Sequence, residues 1–173
     1  MSDGRGHLEL WGKADPARAE RGPAWHPLAF HILDVAAVAL HLLELRPART
    51  RAMSDAIGLP STEAIPWIAF FVALHDLGKA TPAFQRIADG HEARLTALGY
   101  AFGESREPHG GLSTVLVPPE LVALGVDGML ARWVARAVGA HHGDFATDMK
   151  VCDLEARRNT SARWLGFAPA RAS

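Results

Sequence analysis

The stretch that most constrains this chain is Phe70-Phe71-Val72-Ala73-Leu74-His75-Asp76-Leu77-Gly78-Lys79. An apolar run ends there in an adjacent His-Asp pair, a glycine and a lysine. Burying a carboxylate and an imidazole at the end of such a run is costly unless something compensates. A metal ion compensates both. The imidazole offers a neutral nitrogen, the aspartate a charged oxygen, and the two oxygens of one aspartate can bridge two ions. Gly78 suits a chain leaving a helix, where positive φ is often needed. Lys79 then lies close enough to meet an anionic substrate. The competing reading is a helix ending in a surface His-Asp, and only ligands elsewhere in the chain decide between the two.

The length of 173 residues suits one domain with a full-sized core, expected as a single unit over 1–173 with its core at about 8–158. Hydrophobic residues at 49% and charged residues at 21% exclude a disordered chain. A formal charge of −1 excludes a globally basic nucleic-acid binder, so any DNA contact has to rest on a local patch. Lysine occurs only at Lys13, Lys79 and Lys150, which makes Lys79 beside the His-Asp pair stand out. The single cysteine, Cys152, rules out an internal disulfide framework and a cysteine-rich zinc site. A reducing cytoplasm fits. The N-terminus lacks a signal-peptide apolar core, and no apolar run free of charge or histidine reaches spanning length. The expectation is a cytosolic protein without a membrane partner.

Along the chain, residues 1–24 read as a mostly irregular lead-in, with Trp11 in Leu8-Glu9-Leu10-Trp11-Gly12-Lys13 as a packing anchor. His26-Pro27 opens a helix expected over 27–45, apolar all round and therefore central. His31 interrupts that surface. Asp34 and His41 fall about 60° and about 80° from it at 100° per residue, on the same side. A buried His31 needs a partner, and metal ligation or a satisfied core histidine answers equally well. Residues 46–64 read as a polar connection, with Pro66 starting the second helix into His75-Asp76. Thr81-Pro82 caps a short helix to about Ala88, with Phe84 and Ile87 facing in.

Residues 89–107 read as a loop with a solvated His91. His109-Gly110-Gly111 begins a helix stopped by Pro118-Pro119. A histidine ahead of a glycine pair can approach a ligand closely because the backbone is unhindered. Asp127 caps a helix to about Ala140, with Met129, Leu130, Trp133, Val134 and Val138 on its apolar side. It ends in Gly139-Ala140-His141-His142-Gly143, where relaxed terminal geometry lets both imidazoles converge on one ion. A last helix is expected over 147–158 and a fraying tail over 159–173. No segment of useful length has strand periodicity, so the expected fold class is all-α.

The candidates His31, His75, Asp76, His109, His141 and His142 sit on or at the ends of four apolar helices. Imidazole and carboxylate without thiolate suit Mn, Fe, Co, Ni or Zn. The ordered set His31, His75-Asp76-Leu77-Gly78-Lys79, His109-Gly110 and His141-His142-Gly143 resembles the HD superfamily of metal-dependent phosphohydrolases. The opening Leu10-Trp11-Gly12-Lys13 and the stretch His31-Ile32-Leu33-Asp34-Val35-Ala36-Ala37-Val38-Ala39 resemble its CRISPR-associated branch, the HD nuclease domain of the type I nuclease-helicase. The resemblance covers roughly residues 8–145.

It implies an HD-domain helical bundle with two divalent transition metal ions. One would be held by His31, His75 and Asp76, the other by Asp76, His109, His141 and His142, with Asp76 bridging. Asp76 and Lys79 would be the catalytic pair, Lys79 stabilising charge on the phosphate. The implied substrate is single-stranded DNA, delivered by a helicase domain or subunit after a CRISPR surveillance complex opens its target. The chain contains no Gly-rich phosphate loop of a helicase. In the family a final aspartate well beyond the His-His pair completes the first metal. Asp144, Asp148 and Asp153 lie closer than that. An HD phosphohydrolase acting on nucleotides or small phosphate esters, and a weakly active HD module acting as a binding partner, are the competing functions.

Overall fold

The computed structural model describes residues 6–14, 25–88, 90–103 and 106–160. Of the tail expected over 159–173, residues 159 and 160 belong to the last helix and residues 161–173 lie outside the described residues. The domain is helical, as expected. Eight helices are described: α1 (Leu28–Leu45), α2 (Pro47–Ile57), α3 (Ser61–Ala73), α4 (Pro82–Gln85), α5 (His91–Ala97), α6 (His109–Ala123), α7 (Gly128–Gly139) and α8 (Asp148–Thr160). A 3-10 turn over Leu74–Ala80 links α3 to α4. The one departure from an all-helical chain among the described residues is a two-stranded antiparallel ribbon, β1 (Trp11–Ala14) with β2 (Trp25–Pro27). Strands of four and three residues are too short to carry a legible alternation.

The ends of the elements follow local chemistry. The Thr81 hydroxyl accepts from the Phe84 N–H at the start of α4, and Asp127 accepts from Met129 and Leu130 at the start of α7. Two expected breaks are absent. The supposed connection at 46–64 is largely helical. Pro47 occupies the first position of α2, Gly58 ends it in a left-handed conformation (φ 72°), and Thr50 and Ser54 are buried. Ser61, not the neighbourhood of Pro66, opens α3, and Pro66 lies inside the helix. Likewise α6 continues through Pro118-Pro119 to Ala123. Val117 and Leu121, both fully buried on either side of those prolines, hold the helix together.

Burial also redistributes the helices. The expectation of a central α1 is corrected. Only Leu28 and Leu43 of that helix are buried, while Leu33, Val38, Leu42 and Leu45 are exposed. Apolar character all round does not say how many neighbours a helix has, and α1 is a wall packed on α3. By length and composition alone α1 could cross a membrane. In α7 the buried face is Ala131, Ala135 and Gly139, and Met129, Leu130 and Trp133 point outward. Small residues face inward because α7 lies close against α6. Ile87 is exposed and His91 is buried, the reverse of expectation for both, because α5 folds His91 against Trp25 (ring centroids 5.1 Å apart). Trp11 anchors the ribbon as expected, stacked near Phe84 at 4.7 Å in the cluster with Leu112, Val115 and Leu154.

Candidate metal centre

Asp76 lies in the 3-10 turn that follows α3, and its side chain is 2% exposed. The turn is pressed onto the start of α6. A Cβ on Gly78 would stand 2.1 Å from the His109 carbonyl oxygen and 2.7 Å from the Ser113 nitrogen. Gly78 does not have positive φ. The expected reason for this glycine is therefore corrected: it is needed for close approach. Ser113 straps the contact, its hydroxyl donating to the His75 carbonyl (2.8 Å) and accepting from the Gly78 N–H (2.9 Å). This seat brings His109, the first residue of α6, to Asp76.

All six expected ligands converge. On one side of the carboxylate, Asp76 Oδ2 lies 2.8 Å from His31 Nε2 and 3.3 Å from His75 Nε2. On the other, Oδ1 lies 3.0 Å from His109 Nε2 and 3.8 Å from His141 Nε2. His109 Nε2 in turn stands 3.0 Å from His141 Nε2 and 3.1 Å from His142 Nε2. Two groups suited to an ion result, His31–His75–Asp76 and His109–His141–His142. Asp144, Asp148 and Asp153 do not join them. Asp148 pairs with Arg136, Asp153 pairs with Arg157, and Asp144 is exposed.

Two helix contacts set this up. A Cβ on Gly139 would meet the Thr114 hydroxyl at 2.0 Å and the Gly110 carbonyl oxygen at 2.7 Å, so only glycine lets α7 end beside the start of α6. That places His141 and His142 opposite His109. On the α1 side, Gly12 of β1 packs on His31, where an added Cβ would lie 2.9 Å from the His31 Cβ and from the Leu28 Cα.

The residues fit a divalent metal. His75 Nδ1 lies 2.7 Å from the Val72 carbonyl and His141 Nδ1 lies 2.7 Å from the Val138 carbonyl. A carbonyl only accepts, so both rings carry their proton on Nδ1, and a neutral ring turns the Nε2 lone pair to the cluster. His109 Nε2 has at most one proton to share among His141, His142 and Asp76. The remaining lone pairs and the carboxylate oxygen face one another, an arrangement a cation relieves. Asp76 Oδ1 is buried and lacks an aligned hydrogen bond although His109 stands beside it. Ligand atoms at about 2.1 Å from one ion and at right angles are about 3 Å apart, close to the 2.8 and 3.3 Å from Asp76 Oδ2 to His31 and His75 and the 3.0 and 3.1 Å from His109 to His141 and His142.

Ionisation agrees. Burial alone would raise the Asp76 pKa, but the close rings of His109 and His75 and the Lys79 ammonium hold it well below the usual carboxylate range. Burial, and then the positive charge of Lys79 and His75, outweighs the attraction of Asp76 and lowers the His31 pKa. Burial together with the neighbouring His142, His75 and His109 lowers His141. Burial would lower His75 too, but its bond to Asp76 and the Asp76 charge raise it overall.

Other placed residues are simpler. His26 pairs with Asp34 at 2.9 Å, and His41 is exposed. Lys79 is held closely. Its Nζ lies 2.8 Å from Asp76 Oδ2 and donates to the Gly12 carbonyl at 2.9 Å. One residue that the sequence reading missed is Gln85, fully buried at the end of α4. Its amide donates to the Trp11 carbonyl (2.9 Å) and the Lys79 carbonyl (2.7 Å) and accepts from the Trp11 N–H (2.9 Å). Gln85 thus ties the ribbon to the His-Asp turn. No sequence signal marks it beyond its place one turn after Thr81.

A helical bundle with a His-Asp pair following a core helix, met by histidines from three other elements, is an HD domain. The family model for the Cas3 HD domain matches residues 11–170, and the chain belongs to that family. It is 40% identical over 146 residues to the CRISPR-associated endonuclease/helicase Cas3 of Thermus thermophilus, covering 83% of this chain and 15% of that protein. A crystal structure of a CRISPR-associated protein matches with a TM-score of 0.73 at 36% identity, over 93% of this chain and 18% of the other. The crystal structure of the Thermus thermophilus Cas3 HD domain in the presence of Ni2+ matches with a TM-score of 0.62 at 34% identity, over 91% of this chain and 58% of the other. The chain thus spans less than a fifth of its curated relative's length.

Proposed function

We propose that this chain is a metal-dependent nuclease domain that cleaves single-stranded DNA in type I CRISPR antiviral defence, in the cytoplasm. The observation that carries this reading is the buried carboxylate of Asp76, which turns one oxygen to His31 and His75 and the other to His109 and His141. His31, His75 and Asp76 Oδ2 would hold one divalent transition metal ion, and Asp76 Oδ1, His109, His141 and His142 a second. Ions bound there would supply Lewis-acid chemistry, lowering the pKa of a water molecule and offsetting charge on the scissile phosphate.

The protein groups do the arranging. Asp76 stays ionised at neutral pH because its pKa is held low. The Val72 and Val138 carbonyls fix the rings of His75 and His141 so that Nε2 faces the site. Lys79 places a fixed positive charge beside Asp76, 2.8 Å from its Oδ2. The likeness to the Thermus endonuclease/helicase supports both a phosphodiester substrate and a helicase domain or subunit as partner. The exposed Leu33, Val38, Leu42 and Leu45 of α1 offer an apolar surface for such a partner. A CRISPR surveillance complex would supply the opened strand.

Degradation of circular single-stranded DNA by the purified chain tests the proposal, with Mn, Ni, Co and Mg assayed separately. The expected result is metal-dependent cleavage, abolished by chelator and by Asp76→Ala. Cleavage that survives Asp76→Ala would sink the shared-carboxylate site. No cleavage of DNA by a metal-loaded chain that hydrolyses nucleotides would move the substrate to small phosphate esters.

A further inference from the structure

We infer that Glu107, clamped by two cations of α8, holds His109 in its place, so that Glu107 is a positioning residue for a centre it does not touch. The inference rests on the nuclease reading above and concerns what fixes one of its histidines.

Glu107 is a nearly buried carboxylate outside the cluster, its side chain 9% exposed. Each of its oxygens has its own cation. Lys150 Nζ donates to Oε2 at 2.9 Å, and Arg157 Nη1 donates to Oε1 at 2.9 Å. Both cations come from α8, 43 and 50 positions later in the chain. A buried carboxylate is costly unless it is paired and hydrogen-bonded, and such a pair adds little stability over apolar packing. What the two bonds enforce is one seating of α8 against the residue ahead of α6.

Only Pro108 separates that residue from His109. Pro108 has φ −61° and ψ 137° and precedes the first residue of α6. Its ring fixes its own φ, and the residue before a proline is confined to extended backbone. With so little freedom in the link, a displacement of Glu107 passes on to His109. The two glycines after His109 complete the arrangement. A Cβ on Gly110 would lie 2.6 Å from the Gly139 carbonyl oxygen, and one on Gly111 would lie 3.2 Å from Leu154 Cδ1. Gly110 thus admits α7, and Gly111 admits the fully buried Leu154 of α8.

The near end of α8 is tied to the other side of the cluster. Asp148 pairs with Arg136 of α7 at 2.6 Å, and residues 143–147 alone separate His142 from α8. One helix therefore starts beside the His141-His142 turn and clamps the residue ahead of His109. His109 Nε2 has to meet Asp76 Oδ1 and His141 Nε2, each at 3.0 Å. A shift of about 1 Å in such a group is enough to cost up to about a hundredfold in rate.

Two readouts test this, one of them free of any cleavage assay. In chelated protein, the ring signals of His109 are followed by NMR and assigned with His109→Ala. In the loaded protein, kcat and KM are measured on circular single-stranded DNA. Glu107→Gln keeps the size of the side chain and removes its charge. The His109 signals should move while those of His26 and His41 hold, and kcat should fall about tenfold or more with KM unchanged. Lys150→Met should do the same to a smaller degree, and Lys150→Arg should restore both readouts. The Lys150 side chain is 42% exposed, so this pair carries the test if Glu107→Gln does not fold. Folded variants that lose stability to urea but keep the natural His109 signals and kcat would overturn the inference and leave the clamp a purely structural one. So would a rise in KM at natural kcat, or a Lys150→Arg protein no better than Lys150→Met. A natural chain without nuclease activity would count against the proposed function, and the His109 signals would still decide the inference.

Discussion

The two halves of the metal centre use the same residue types but are held by different physics. The His109–His141–His142 half rests on a helix contact, in which Gly110 and Gly139 let α6 and α7 meet backbone to backbone. The His31 half is set by a relay of polar groups: Gln85 to Trp11 and Lys79, Lys79 to Gly12 and Asp76, and Gly12 against His31. The first half tolerates no added volume. The second tolerates no lost hydrogen bond. A given geometry can thus be secured by packing or by satisfied buried polar groups, and the two fail in different ways.

Gly139→Ala should have the largest effect. Its methyl group would meet the Thr114 hydroxyl at 2.0 Å and the Gly110 carbonyl oxygen at 2.7 Å. The hydroxyl can turn away, but the backbone has to part. A loss of about 3 kcal/mol in stability is expected, the upper end for an overpacked contact. Urea unfolding of the chelated protein measures it. The comparison sharpens if the surviving fold loses binding at the His109 half and retains it at the His31 half. Retention of both at natural affinity would show that the helix contact does not set the site.

What could be read in advance divides along the same line. The six ligands were legible because histidine and aspartate beside apolar runs are chemically expensive, and several of them in one chain require a common explanation. The caps at Thr81 and Asp127 were legible because a side-chain oxygen there satisfies local N–H groups. The burial of α1 and α7 was not. A leucine on a helix face says that the face is apolar, and its neighbours are decided by elements far away in the chain. Hence Leu33 and Trp133 came out exposed, and Ala131 and Ala135 came out buried. The prolines at 66, 118 and 119 misled for a related reason, since tertiary packing outweighs the local cost of a missing backbone bond. Gln85 was invisible because three of its bonds go to Trp11, 74 positions away.

Gln85→Leu probes the relay and ranks second. The change keeps roughly the volume and removes both the acceptor for the Trp11 N–H and the donors for the Trp11 and Lys79 carbonyls. Leaving such buried groups unmatched should cost about 2 kcal/mol. The effect on metal should mirror that of Gly139→Ala, with the His31 half disturbed and the His109 half preserved. Equal disturbance of both halves, read by calorimetric titration with Mn2+, would merge the two mechanisms into one.

The smallest effect concerns His91, which lies behind the ribbon and outside the metal centre. It is buried against Trp25, with Arg94 Nη2 3.0 Å from its Nδ1. Burial, and then the Arg94 charge, push its pKa below the usual value. In the unfolded chain the ring takes a proton as the pH falls through about 6.5, whereas in the folded chain it resists until a lower pH. The stability it contributes is therefore complete above about pH 6.5 and is lost as the pH drops below that value towards the folded pKa. His91→Gln removes the titration. In chelated protein the variant should lose less stability than the natural chain between about pH 7.5 and pH 5.5, with His31 and His141, whose pKa values are also lowered, contributing to the loss in both. Parallel curves would mean that His91 contributes nothing to acid sensitivity, which would then have to come from groups such as His31 and His141.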